Sequence, residues 1–174
     1  MGDPDDLQRA GPAPSTANSG ARDFDFLIGD WTVKHRKLSA RLAGSSDWYE
    51  FPGTMHVRPI LHGLGNVDEN VLDDPKGPYL ATSLRVFDQG SNLWSVYWVD
   101  GRTSGIDKPV IGRFEGRTGR FYNDDLFEDR PVKVRFTYCD LGARRASWEQ
   151  AFSEDDGRTW ETNWTMDFIM KDAV

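Results

Sequence analysis

The sequence predicts an all-β protein, an antiparallel up-and-down β-barrel of about ten strands with a short N-terminal helical turn. Three observations carry this reading. Apolar and aromatic residues alternate with polar ones in many short runs, the runs are bounded by Gly, Asp, Asn or Pro, and the links between runs are short and turn-like. Short links make neighbouring strands antiparallel. Closing the sheet removes its edges and, at about eight to ten strands, leaves interior room for a ligand, which favours a barrel over a two-sheet sandwich.

Residues 1–22 contain no aromatic side chain and are rich in Pro, Ala, Gly, Ser and Asp, so they read as a disordered tail, with a lid over a barrel mouth as the alternative. Residues 23–174 read as the barrel domain. Asp23-Phe24-Asp25-Phe26-Leu27-Ile28 supplies one helical turn that plugs a barrel end and stops at Gly29. Strands follow near 29–38, 47–58, 66–73, 79–87, 93–99, 109–115, 119–124, 131–139, 144–153 and 159–170. Asp100-Gly101, Gly116-Arg117-Thr118-Gly119 and Asp140-Leu141-Gly142-Ala143 are among the hairpin links.

Composition narrows the function classes. The 174 residues suit one domain, and with 28% charged residues there is no apolar run near the roughly 20 residues a spanning helix needs. A net charge of −7 repels nucleic-acid phosphates and anionic membranes, so neither is an expected partner. The acidic N-terminus lacks an export signal and Cys139 is the single cysteine, which together predict a cytoplasmic protein. No pattern reads out the oligomeric state, and a homodimer stays open. Aromatic residues make up 13%, including seven Trp and ten Phe, an excess that suits either a pleated, half-buried wall or a cavity for a flat apolar molecule.

Gly29-Asp30-Trp31, opening the first strand, resembles the Gly-x-Trp signature of lipocalins and related calycin barrels. The resemblance implies that Trp31 closes the barrel floor and that a basic residue of the last strand, here Lys171, packs across it. Asp25-Phe26-Leu27-Ile28-Gly29-Asp30-Trp31, Arg85-Val86-Phe87-Asp88, Trp94-Ser95-Val96-Tyr97-Trp98 and Trp148-Glu149-Gln150-Ala151-Phe152-Ser153 together resemble the DUF1579 group of bacterial proteins. That resemblance runs from about Phe24 to Phe168, implies a lipocalin-like barrel, and brings no catalytic residue with it.

Ser153-Glu154-Asp155-Asp156-Gly157-Arg158-Thr159-Trp160 fits the Asp-box pattern Ser-x-Asp-x-Gly-x-Thr-Trp. It predicts a hairpin turn in which the Asp155 carboxylate accepts backbone N–H bonds, Gly157 takes a positive φ and Trp160 packs beneath. A glycosidase would need repeated blades and a carboxylate pair. The three histidines, His35, His56 and His62, have neither His-x-His nor His-Glu-x-x-His spacing, so no metal site is expected. No cofactor is expected, and no phosphate-binding or nucleophile motif occurs; Cys139 has no recognisable His partner.

Alternation anchored at Trp31 turns Val33, His35 and Lys37 inward, making His35 either a core histidine or a ligand-orienting or acid–base group. Trp148, Gln150 and Phe152, and then Trp164, Met166 and Phe168, face inward, with Asn163, Thr165 and Asp167 outward. Gln150 then needs a partner, either a neighbour such as His35 or Tyr138 or a ligand. Both faces of 93–99 carry aromatics, so Tyr97 and Trp98 are both candidates. Arg85, Arg113 and Arg135 are expected to pair with carboxylates on the outer wall or to bind a ligand carboxylate.

The leading expectation is a barrel that binds a small hydrophobic or aromatic molecule in a central cavity, contacted by Trp31, His35, Tyr97, Trp98, Tyr138, Trp148, Gln150 and Trp164. The alternative is an isomerase, cyclase or lyase in the same cavity with His35 as acid–base group; a third is a structural or partner-binding module.

Overall fold

A computed structural model describes residues 20–172. Ten strands, β1 (Gly29–Leu38), β2 (Trp48–Ile60), β3 (Gly65–Leu72), β4 (Tyr79–Asp88), β5 (Leu93–Asp100), β6 (Val110–Glu115), β7 (Thr118–Phe127), β8 (Arg130–Gly142), β9 (Arg145–Ser153) and β10 (Glu161–Met170), form a closed antiparallel barrel. Each pairs with its successor, and β1 closes the ring on β10 with Trp31 opposite Met170 and Lys37 opposite Trp164. Among the described residues no helix is long and apolar enough to cross a membrane.

The lower end, where β1 begins, is plugged from within. A 3-10 turn over Asp25–Leu27 buries Leu27, and Phe24 packs edge-on against Trp94, Phe114 and Tyr138 at centroid distances of 4.9, 4.9 and 5.0 Å. The Trp31 indole N–H donates to Leu27 O at 2.8 Å, tying plug to floor. Lys171 does not cross Trp31. It is exposed and bonds through its backbone alone, its N–H on Asp30 O and its carbonyl accepting from Arg144, while Phe168 packs edge-on against the indole at 6.1 Å. The expected tail also ends earlier than residue 22. Gly20–Arg22 form a 3-10 turn with Ala21 buried, because the Trp94 indole N–H needs an acceptor and takes Gly20 O at 2.8 Å. Residues 1–19 of the tail lie outside the described residues.

The middle of the barrel is packed rather than hollow. Arg85 and Asp68, 2% and 0% exposed in their side chains, form an ion pair of 2.7 Å, and Arg85 also donates to Asn66 Oδ1 and Tyr138 Oη. Asp68 further accepts from the Ser83 backbone N–H and from Asn70 Nδ2. Burial opposes the charge on Arg85, but Tyr138 and Asp68 outweigh it and hold its pKa above the ordinary value. Arg85 therefore corrects the outer-wall expectation. It sits on the inward phase of β4 with Ala81 and Ser83, since Tyr79 and Phe87 at the strand's two ends set that phase. Arg135 does lie on the outer wall, 3.3 Å from Glu149, and Arg113 is exposed.

Candidate functional site

The upper end holds a pocket of about 160 Å³. Its origin is a break in the wall. The β5–β6 ladder pairs only Trp94–Val96 with Gly112–Val110, so the upper half of β5, paired with β4 on one side, has no strand on its β6 side. Residues 101–109 span the gap as a loop, pinned by Asp107 N–H on Trp98 O at 3.0 Å, Asn123 Nδ2 on Lys108 O at 2.9 Å and Lys108 Nζ on Asp124 O at 2.8 Å.

Trp98, Phe136, Trp148, Phe152 and Trp164 wall the pocket, with Gln150 as its interior amide. Trp98 and Trp148 both stand nearly perpendicular to Trp164, at 89° and 88° with centroids 5.7 and 5.2 Å away, and Phe136 meets Trp148 edge-on at 4.9 Å. Such edge-to-face pairs suit the ring quadrupoles and hold the indoles in fixed orientations. Asp107, Lys108, Asn123 and Asp125 form the rim.

Gln150 finds neither His35 nor Tyr138. Its Nε2 donates to Asn163 Oδ1 at 2.8 Å, because the β9–β10 register shifts between Thr162 and Trp164 and leaves Asn163 as an extra residue. Asn163 thereby turns inward and is fully buried, against the outward position its parity predicts. Its Nδ2 and the Trp148 Nε1 are buried donors without a hydrogen-bond partner among the described residues.

His35 is inward but not at the pocket. Its ring stacks on Phe51 at 4.7 Å and 7°, and its Nδ1 accepts from Trp164 Nε1 at 3.3 Å. Gly53 leaves the space for this ring, since a Cβ there would lie 2.6 Å from Nε2. Burial, helped by the neighbouring Lys37 charge and only partly opposed by Asp74, pulls His35 down to about 3. Lys37 lies behind Trp164, its Nζ 4.0 Å from the ring centroid, bonded to Asp74 Oδ2 at 3.2 Å and Tyr79 Oη at 2.9 Å. Burial lowers Lys37 to about 8 despite Asp74.

Of the eight residues singled out in the sequence, the structure brings Trp98, Trp148, Gln150 and Trp164 together at the pocket. Trp31 belongs to the floor and Tyr138 to the Arg85 cluster. Tyr97 is opposite Leu84 while Trp98 is opposite the buried Ser83, so Tyr97 takes the outward phase of β5. Phe136 was not singled out; its place opposite Gln150 becomes visible only with the β8–β9 register. The rim residues, on the loop before β6 and within β7, had no signal beyond their polarity. Among the described residues no group of three or more His, Cys, Asp or Glu could hold a metal ion.

The fold and pocket define a closed ten-stranded barrel with an aromatic recess at one end. Comparison with known protein families and with curated proteins finds no match to this chain.

Proposed function

We propose that the protein binds a small, mostly apolar or aromatic molecule in the upper pocket. The supporting observation is the recess itself, a space of about 160 Å³ walled by three indoles and two phenyl rings, of which the indoles and Phe136 are held by edge-to-face contacts. A closed apolar cavity of about 150 Å³ accommodates a benzene, so the expected occupant is a one-ring molecule or its equivalent. The wider reading, motif resemblance to the DUF1579 group and cytoplasmic residence included, has this pocket as its functional centre. A catalytic role for His35 gains no support: a ring stacked between neighbours and titrating near 3 has no proton to give at neutral pH and does not reach the pocket.

Nitrobenzene tests the reading. Saturable quenching of tryptophan fluorescence is expected in the native protein, and Val134→Phe, which fills the pocket from β8, should abolish it while near-UV circular dichroism stays native. Linear, non-saturating quenching in the native protein, or saturable quenching that survives Val134→Phe, overturns it.

A further inference from the structure

The pocket's aromatic wall is neutral, but its rim is charged, and the rim charges are unevenly answered. Lys108 donates to the neutral Asp124 O and so keeps its positive charge, but Asp107 and Asp125 leave the rim with one net negative charge. Asp125 accepts only the neighbouring Leu126 N–H, and neither Asp107 nor Asp125 has an ion-pair partner among the described residues. Asp107 titrates above its ordinary value, first through burial and then through Asp125 and Asp100, with no cation relieving it. The other cations at this end do not enter the pocket. Lys37 is matched by Asp74 and Arg102 by Asp100, while Arg41 stands 5.7 Å from the Phe152 centroid without lining the recess.

We propose that the occupant is an organic cation, an amine or quaternary ammonium on a small apolar body, whose charge faces Asp107 and Asp125 across the rings of Trp98, Trp148 and Trp164. This rests on the binding reading above and sharpens it. Indole faces carry negative potential, so a desolvated cation gains from them where a neutral isostere does not. Trp164 already shows this chemistry on Lys37, 4.0 Å from its centroid. Two carboxylates at the mouth add a field that attracts a cation before it enters. An anion would meet both carboxylates and the negative ring faces at once.

Three one-ring probes separate the outcomes by calorimetry at neutral pH: benzylamine, protonated there, with neutral benzyl alcohol and anionic benzoate. Benzylamine is expected to bind at least tenfold more tightly than benzyl alcohol, with benzoate the weakest. The Asp107→Asn/Asp125→Asn double variant, altering two rim carboxylates that make no ion pair among the described residues, should retain the native melting temperature and lose most of that preference. Equal or tighter binding of benzyl alcohol, tighter binding of benzoate, or an undiminished preference in the folded double variant overturns the cationic occupant while leaving the binding reading in place. Saturation by nitrobenzene with none by benzylamine does the same. If neither benzylamine nor nitrobenzene saturates, both readings fail.

Discussion

His35 shows how far a neighbourhood can move one side chain from its ordinary chemistry. Folded, it titrates at about 3, against an ordinary value of 6.5. Between those values the unfolded chain holds one more proton, so this histidine lowers stability as pH falls from 6.5 towards 3, by about 1.4 kcal/mol per pH unit where the difference is complete. His35→Phe keeps the stack on Phe51 and removes the titration. Between pH 6.5 and 4.5, urea unfolding should show the native protein losing about 2 kcal/mol more than the variant; parallel losses would mean that His35 is protonated in the fold. The inward direction of His35 was legible from parity with Trp31. Its distance from the pocket was not, because stacking on Phe51 depends on which strand lies beside β1 and in what register.

At the scale of elements, the β9–β10 hairpin behaves as its local sequence dictates. Asp155 accepts the Thr159 backbone N–H and hydroxyl at 2.8 and 2.7 Å, Ser153 Oγ accepts the Gly157 N–H, and the Trp160 indole donates to Gly157 O. Gly157 has φ 85, the conformation the motif predicts. The Thr159 bonds first, and Ser153 after them, hold the Asp155 carboxyl down at about 2. Its folded pKa lies below its ordinary one, so its contribution is complete above the ordinary carboxylate range and disappears as pH falls through about 2. Asp155→Ala should lower the thermal midpoint at neutral pH and leave nitrobenzene binding unchanged. Loss of binding in a folded variant would mean that the hairpin shapes the pocket. Motifs closed within eight residues are readable because all their partners are local. The bulge three residues beyond, at Asn163, was not, since nothing in Asn-Trp-Thr announces an extra residue and only the partner strand reveals it.

Across the whole molecule, the two barrel ends do different work. The lower is filled by Phe24, Leu27 and Trp31, the middle by the Arg85–Asp68 cluster, and the upper keeps its recess. Phe24→Ala should cost about 3–5 kcal/mol in denaturant unfolding, the usual loss for a fully buried phenyl ring. Nitrobenzene affinity in the upper pocket should persist under native conditions, because plug and pocket share no lining residue. Coupled loss of both would show that the ends form one cavity in solution.

Strand number, antiparallel order, the plugging turn and the Asp-box hairpin were determined by sequence alone, since alternation, turn chemistry and short links act over a few residues at a time. Tertiary structure decided the rest. Whether Tyr97 or Trp98 faces inward depends on the phase of β4 beside it, and Arg85 is interior because Asp68, 17 residues away in sequence, is there to receive its charge. The pocket exists because β6 pairs with β5 over only three residues, leaving a gap for a loop to span. Each of these turns on register between strands or charge pairing across the interior, and such quantities belong to pairs of segments rather than to any one of them.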